Sequence, residues 1–438
     1  MMNKYISKLF GILFQSQQTQ QIVSVPTQYL PSSPEEWYQH WQELGQSWRT
    51  EPEIDTNRQK ELTKCRAIVP DIEKGIYPFK GMKLSRADVE WLLATHENGH
   101  GPVNWSDENQ REREGLDLRG ANLCQMDLHG LPLAGLRGGL SGIEWARAPQ
   151  EQRNMAKLHL ESANLADAHL ENAYLAGVHL EKANLFRSHL EKADLHTACL
   201  EGTFLTEAHL EGASLRGAFC DAATILSRIF LESKECGSAF LSDVRWDNTN
   251  LSLVDWTHVK ILGDEQEAYQ PLTWFGLTKD KDEWLRGYRR AVRANYQLSF
   301  ALQSEGLNED MARFAYRRHV LQRKVFWKQH YFGKWSFSMF LALLTGYGYR
   351  MWRIIVAYIV IVSFCAIAYF VLGMYYEPHL SFLDAVLISI TAFHGRVFSE
   401  PFLHPGSPQL WVTAFEAIAG LVIEGVFIAM LTQRFFGK

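Results

Sequence analysis

The sequence predicts a repeat architecture followed by an α-helical membrane domain, and three observations support this prediction. Leucine recurs every five residues over residues 158–226, a period that fits neither a helix nor a strand. Residues 354–373 form a run of 20 residues without a charge, which is long enough to cross a bilayer as a helix. A second run, residues 409–431, has 23 residues and includes two glutamates.

Charge is unevenly distributed along the chain, although the formal net charge of its 438 residues is only −5. Residues 158–261 carry 15 acidic and 8 basic side chains, a net −7, whereas residues 279–353 carry 15 basic and 6 acidic, a net +9. The six cysteines show no C-x-x-C motif, which favours reduced thiols in a cytosolic compartment. Residues 1–30 have only a short apolar core, so we predict a flexible arm rather than a signal peptide.

The five-residue pattern, as in "ANLADAHLENAYLAGVHLEKANL" (163–185), resembles the pentapeptide-repeat family. A first run begins at Leu118, the main run extends from Leu160 to Ile225, and a last run ends at Ile261, giving 23 pentads in all. The resemblance implies a right-handed, four-sided (quadrilateral) β-helix over residues 115–265, with nearly six coils. The leucine and alanine positions are then expected to point inward.

Histidine precedes the leucine of every second pentad in the main run, in the motif His-Leu-Glu. The histidines are His159, His169, His179, His189 and His209, with Cys199 at the missing position. Because ten residues make half a coil, histidines twenty apart are expected to stack as outward ladders. A metal ladder is one interpretation, but each ladder would have few members. We therefore predict solvated ladders with no metal and no other cofactor.

The segments on either side of the repeat are predicted to be helical. Residues 31–114 form a small cap domain with a helix that begins after Ser85. Within it, "HENGH" (96–100) matches the metalloprotease pattern H-E-x-x-H, but the turn-forming pair Asn98-Gly99 interrupts the helix that this chemistry requires. Residues 266–332 form a basic linker of two antiparallel helices. The sequence shows no catalytic constellation, so we do not predict an enzyme.

Arginines of the linker interleave with aromatic side chains, which predicts contacts with anionic lipid head groups. A nucleotide or oligonucleotide ligand, or pairing of helices within an oligomer, are the alternatives. The arginines are Arg286, Arg289, Arg290, Arg293, Arg317, Arg318 and Arg323.

The membrane domain is predicted over residues 333–438, with an interfacial elbow (333–352) and two spans (353–374 and 409–436). Basic residues cluster before the first span and follow the second, and only Arg396 lies between them. The positive-inside rule therefore predicts a multi-pass protein of the cell inner membrane with both termini in the cytoplasm. Residues 381–400 would begin and end on the outer side, so they are predicted to enter the membrane and return.

The order of span, re-entrant helix, glycine turn and span resembles the two-helix pore domain of tetrameric potassium-type channels, over about residues 353–436. The resemblance implies a homotetramer that conducts inorganic ions, with Gly420 as a hinge in the pore-lining helix. The residues that align with the filter are Thr391, Ala392, Phe393, His394, Gly395 and Arg396. This stretch lacks one of the two filter glycines, so potassium selectivity is not implied.

The charges near the predicted pore leave ion selectivity open. A ring of Arg396 would favour anions, whereas a ring of Glu416 or Glu424 would favour cations. Alternatively, Arg396 pairs with Asp384 or Glu400 behind the filter. The upstream "TGYGYR" (345–350) also resembles a filter, but no membrane helix precedes it, so we assign it to the elbow.

Together, these features predict a tetrameric ion channel that is gated by a cytoplasmic pentapeptide-repeat region. A ligand-controlled effector that depolarises the membrane in stress or anti-phage defence is the predicted role. The alternative is a non-conducting, membrane-anchored scaffold whose repeat region binds proteins or oligonucleotides.

Overall fold

A computed structural model describes residues 31, 33–270, 281–350, 352–375, 380–396 and 407–436. The predicted arm (1–30) and the end of the predicted re-entrant segment (397–400) lie outside these residues. The chain divides into two compact units, Met1–Lys64 with Ser85–Gly101, and Cys65–Leu84 with Pro102–Lys438. The boundary therefore differs from the predicted cap domain of 31–114, because residues 65–84 belong with the repeat.

The first unit has a small apolar core, in which some charged side chains, such as Asp88 and Glu90, are also buried. Its helices are α1 (Pro34–Glu43), α2 (Thr56–Arg66, which ends just past the boundary) and α3 (Arg86–Ala94). Ser85 and Asp88 form the predicted capping box at the start of α3. Arg58 donates two hydrogen bonds to Asp88, of 2.9 and 2.8 Å. After Ala94, a one-turn segment, His96–Gly99, contains left-handed backbone at Glu97 and Asn98. The predicted interruption of the H-E-x-x-H helix is confirmed.

The repeat forms a parallel β-helix in which residues of successive coils pair on four faces. One continuous file consists of Lys83, Asn122, His159, His179, Cys199, Phe219 and Arg245. Lys83 precedes the predicted repeat, which explains why residues 65–84 belong to this unit. Two short helices, α4 (Gly142–Arg147) and α5 (Gln150–Ala156), occupy the insertion between the first and main runs.

Regular strands occur only near the end of the repeat within the described residues. The strands are β1 (Phe219–Asp221), β2 (Glu232–Ser233), β3 (Gly237–Ser238) and β4 (Arg245–Asp247). β1 pairs with β4 in parallel, and β2 pairs with β3 antiparallel. Short 3₁₀ turns lie at Glu108–Gln110, Leu251–Leu253 and Trp256–His258.

The inward orientation of the leucines is confirmed. Leu165, Leu175, Leu185 and Leu195 are each 0% exposed. Leucines at five-residue spacing therefore form a continuous apolar core along the inside of the β-helix, and burial of this apolar area is the main force that stabilises it.

The histidines form the predicted outward ladders. The rings of His169 and His189 are parallel, with centroids 4.7 Å apart, and those of His189 and His209 are 4.9 Å apart. Each Nδ1 lies within hydrogen-bond distance of the glutamate two residues later, for example 2.9 Å between His169 and Glu171. This hydrogen bond raises the pKa of His169 above its usual value. The ligand atoms of His169, Glu171 and His189 lie within 4.8 Å of one another, which is close enough to hold a metal ion. The absence of a metal therefore stays a prediction.

The rest of the second unit is helical. The helices are α6 (Gly263–Tyr269), α7 (Lys281–Ser304), α8 (Asn308–Lys328), α9 (Phe332–Thr345), α10 (Trp352–Tyr375), α11 (Phe382–Phe393) and α12 (Pro408–Phe436). α7 and α8 form the predicted antiparallel hairpin, with a turn at Gly306. α10 and the Pro408–Thr432 part of α12 are long and apolar enough to cross a membrane.

Candidate functional site

The helices α10, α11 and α12 pack together, and we call them the three-helix unit. α11 has 12 residues, about 18 Å at 1.5 Å per residue, which is too short to cross a bilayer. Ser381 caps its first turn and donates a hydrogen bond of 2.6 Å to Asp384. Tyr369 of α10 and Thr413 of α12 form a buried hydrogen bond of 3.0 Å. A short apolar helix is thus held between the two long ones.

Glu416 lies inside the three-helix unit and is 0% exposed. Its carboxyl forms a hydrogen bond with Ser389 of α11, and the Ser389 hydroxyl is also 2.9 Å from the carbonyl oxygen of Val362 on α10. The Ser389 hydroxyl thus contacts polar groups of both neighbouring helices. Glu416 therefore takes part in a buried polar contact between α11 and α12, and the predicted ring of Glu416 stays a prediction.

Glu424 is in a different environment, two turns further along α12. Its side chain is 45% exposed, and its Oε1 is 3.6 Å from Nε2 of His394. The other ring nitrogen of His394 is 2.8 Å from the carbonyl oxygen of Ile390. His394 and Glu424 thus place two titratable groups on an exposed face of the three-helix unit, next to the C-terminal end of α11.

The predicted filter residues fall into two groups. Thr391, Ala392 and Phe393 belong to the last turn of α11, and the Thr391 hydroxyl bonds to carbonyls of that helix. Helical carbonyls point along the helix axis, so these three residues are helical rather than extended in this structure, and their role in a filter stays a prediction. His394, Gly395 and Arg396 follow the helix and are exposed. Residues 397–400, including Glu400, lie outside the described residues.

Gly420 allows α12 to approach the end of α11. A Cβ built on Gly420 would overlap the carbonyl oxygen of Phe393, whereas one built on Gly425 meets nothing within 4 Å. This close contact of the two backbones explains why a glycine occupies position 420. The hinge function implied by the resemblance stays a prediction.

Gly420→Ala is expected to destabilise the three-helix unit by about 1–3 kcal/mol, because overpacking forces the two backbones apart. Gly425→Ala is the matched control on the same helix. It fills open space and removes a flexible residue, so it should leave stability unchanged or raise it by about 0.5–1 kcal/mol. Thermal unfolding of both variants in the same detergent measures the difference. Equal melting temperatures would contradict the assigned contact.

The linker arginines attach the hairpin to the end of the β-helix. Arg317 of α8 donates hydrogen bonds of 2.9 and 2.8 Å to Glu265 of α6, whose side chain is 2% exposed. Arg290 and Arg293 of α7 form ion pairs of 3.3 Å with Glu267 and Asp243. These three arginines therefore have intramolecular partners, and their contacts with an anionic ligand or lipid stay a prediction.

The remaining predicted arginines are distributed over several surfaces. The guanidinium of Arg318 lies over the ring of Tyr296, at 4.3 Å from its centroid. Arg323 donates a 3.3 Å hydrogen bond to the hydroxyl of Tyr347. Arg286 and Arg289 are exposed on α7.

The segment "TGYGYR" forms a turn between α9 and α10, as the elbow assignment requires. The Tyr347 backbone is left-handed, with φ of 60°. Its ring stacks on His319 of α8 at 4.7 Å, and its hydroxyl is 3.0 Å from Ser338 of α9. Tyr347 thus connects the hairpin to the start of the first candidate span.

The sequence analysis did not identify the polar residues that connect α10, α11 and α12, or the one that connects α6 to the hairpin. Ser389, Tyr369 and Thr413 interrupt apolar runs, and that interruption is the signal that could have identified them. Glu265 gives no such signal, because its partner Arg317 is 52 residues away.

Comparison with known proteins identifies the repeat. The family profile described as "Pentapeptide repeats" matches residues 163–202 in eight copies. None of the curated proteins compared with the chain matches it. Among solved structures, the chain is similar to HetL, a pentapeptide repeat protein involved in heterocyst differentiation regulation from the cyanobacterium Nostoc. The two sequences are 25% identical over 39% of this chain, and the TM-score is 0.18. The match covers 64% of HetL, which is less than two thirds of the length of HetL.

Two further solved structures are similar to part of the chain. A pentapeptide repeat protein from the Arabidopsis thaliana thylakoid lumen is 19% identical over 40% of this chain and 86% of its own, with a TM-score of 0.15. The plasmid-mediated fluoroquinolone resistance protein QnrB1 is 12% identical over 32% of this chain and 76% of its own, with a TM-score of 0.11.

Proposed function

We propose that this pentapeptide-repeat protein is a homotetrameric ion channel of the inner membrane whose opening is controlled by the cytoplasmic β-helix. The observation that carries the proposal is α11. It is short, apolar and capped, and buried polar groups hold it between the two helices that can span a membrane. A membrane anchor needs no such helix, whereas a re-entrant helix can bring non-helical backbone to membrane depth, where that backbone is tolerated when it lines a water-filled path.

Tetramer formation is part of the proposal, because one three-helix unit cannot enclose a conduction path by itself. Large apolar side chains remain exposed on α12, including Trp411, Phe415, Ile418 and Leu421. These side chains would contact lipid or neighbouring copies of the chain. Native mass spectrometry in mild detergent should show four copies, and a monomer as the only species would contradict the assembly.

Ion selectivity is proposed to depend on the exposed groups Glu424, His394 and Arg396. Four copies of Glu424 would attract cations, and four of Arg396 near the outer mouth would attract anions, so selectivity is expected to be weak. His394 is close enough to Glu424 to offset part of its charge when protonated. The buried Glu416 contributes no charge to the ion path in this arrangement.

Reversal potentials in asymmetric salt test the conduction path. We expect Glu424→Gln to reduce cation preference and Arg396→Gln to increase it. Glu416→Gln is the control on the same helix, and it should leave the reversal potential unchanged. If wild type carries no current, the non-conducting scaffold that binds proteins or oligonucleotides is favoured instead. If neither exposed substitution changes the current, these residues do not line the path.

The controlling signal is proposed to reach the membrane through the hairpin. Contacts run from Glu265 on α6 to Arg317 on α8, and from His319 on α8 to Tyr347 before α10. A ligand or partner protein that shifts the β-helix would therefore move the first span. An effector that depolarises the membrane in stress or antiviral defence is consistent with this arrangement.

A further inference from the structure

A cavity of about 440 Å³ lies where α7, α8 and α9 meet, and we call it the aromatic–basic pocket. Four aromatic side chains line it: Trp284, Tyr288, Trp327 and Trp335. Three cations line it as well: Arg323, Lys324 and Lys328. The pocket contains no carboxylate among the described residues that line it.

The aromatic rings form a structured wall. Trp284 and Tyr288 stack at 4.0 Å, and Trp327 and Trp335 lie 4.9 Å apart. The ammonium groups lie over these and neighbouring rings. Lys328 is 5.3 Å from the centroid of Trp284, and Lys324 is 3.9 Å from that of Tyr269. Cation–π contacts of this kind hold the basic groups at the pocket without neutralising them.

The pocket concentrates positive charge. Arg323, Lys324 and Lys328 lie within two turns of α8, and no salt bridge joins them to a carboxylate in the part of the chain that the structure describes. Burial lowers the pKa of Lys324; the nearby carboxylate of Glu265 opposes this shift, and the neighbouring Arg323 and Arg317 add to it. An anion in the pocket would relieve this repulsion.

We propose that the aromatic–basic pocket binds an anionic phosphate ester. The phosphate group would lie among the three cations, and the uncharged part of the ligand would pack against the tryptophans. The position of the pocket favours a phospholipid as the source. Trp335 lies in the first turn of α9, the helix that directly precedes the first candidate span. Phe337, Phe340 and Leu343 of this helix are exposed. A soluble phosphate ester such as a nucleotide has the same recognition chemistry.

Binding of two probes to the full-length protein in neutral detergent tests the proposal. The probes are a short-chain phosphatidylglycerol and adenosine monophosphate, and a short-chain phosphatidylcholine serves as the neutral comparison. The double variant K324Q/K328Q removes two charges from the pocket and keeps most of each side chain. The matched control R286Q/R289Q removes two exposed charges from α7 of the same hairpin. Calorimetry or native mass spectrometry measures affinity.

We expect K324Q/K328Q to weaken binding by roughly 25-fold, because each basic residue contributes about five-fold at an anionic surface. The control should change affinity by less than about two-fold. Trp335→Leu should weaken binding as well, since it removes part of the aromatic wall. The probe that binds identifies the source as phospholipid or soluble phosphate ester.

Equal losses in the two double variants would overturn the proposal, because attraction to the whole basic hairpin would then explain binding. Failure of both probes to bind wild type, or binding of phosphatidylcholine with equal affinity, would also overturn it. The choice of a phospholipid as the ligand rests on the proposed membrane location. Binding of either probe can be measured whether or not the protein conducts ions. Absence of binding and absence of current are therefore separate results.

Discussion

Replacing Leu185 by aspartate is expected to unfold the β-helix. Leu185 is 0% exposed in the centre of the main run, where apolar side chains surround it on successive coils. A carboxylate there has no hydrogen-bond donor to replace water, and its burial costs several kcal/mol. Because each coil is stabilised by contact with its neighbours, damage at a central coil weakens both halves of the repeat.

Lys182→Asp is the control for this prediction. It introduces the same side chain three residues earlier, at an exposed position. Lys182 has a φ of 60°, a left-handed conformation that aspartate tolerates better than most residues. We expect Lys182→Asp to melt close to wild type and Leu185→Asp to lose the β-sheet circular dichroism signal at a much lower temperature. Similar melting of the two variants would contradict the inward position of Leu185.

The body of the β-helix could be predicted because the sequence pattern that specifies it is local and periodic. Each pentad repeats one inward leucine, so the position of Leu185 follows from that of Leu165. The first coil has no such signal, since Lys83 is separated from its pairing partner Asn122 by the residues of α3 and the turn after it. The position of this first coil is determined by backbone pairing between residues on either side of a long insertion. A five-residue pattern does not reveal such pairing.

The candidate pore could be predicted only in part. Apolar length determines the bounds of α10 and α12, and Ser381 marks the start of α11, so all three agree with the sequence within a few residues. The end of α11 depends on packing between Phe393 and Gly420, which are distant in sequence. For the same reason the sequence alone does not show that Thr391 lies in the last turn of α11 or that Glu416 is buried.

Replacing Arg317 by alanine is expected to release the hairpin from the end of the β-helix. Glu265 is 1% exposed, and Arg317 neutralises it through two hydrogen bonds. Removing one partner of a buried ion pair leaves an uncompensated charge and costs about 3–5 kcal/mol. Tyr269 also donates a 2.8 Å hydrogen bond to Glu265, and burial raises the pKa of Tyr269, so this donor stays protonated at neutral pH. The expected loss of stability is therefore at the lower end of this range, about 3 kcal/mol.

Hydrogen exchange of the full-length protein measures this release. Amides of α8 should exchange faster in Arg317→Ala, whereas those in the centre of the main run should not change. Arg286→Ala removes an exposed arginine from the same hairpin and should leave exchange unaltered. The double variant Glu265→Gln/Arg317→Gln removes both charges at once, so it should restore much of the protection that the single variant loses. Unchanged exchange in Arg317→Ala would show that the pair does not attach the hairpin.

The same variants separate attachment from gating. If the β-helix controls the pore through this contact, Arg317→Ala should alter the open probability without a change in reversal potential, since no residue of the ion path is affected. The neutral pair Glu265→Gln/Arg317→Gln should return the open probability toward that of wild type. A change in exchange without any change in current would mean that the β-helix is attached at this point but does not control the pore through it.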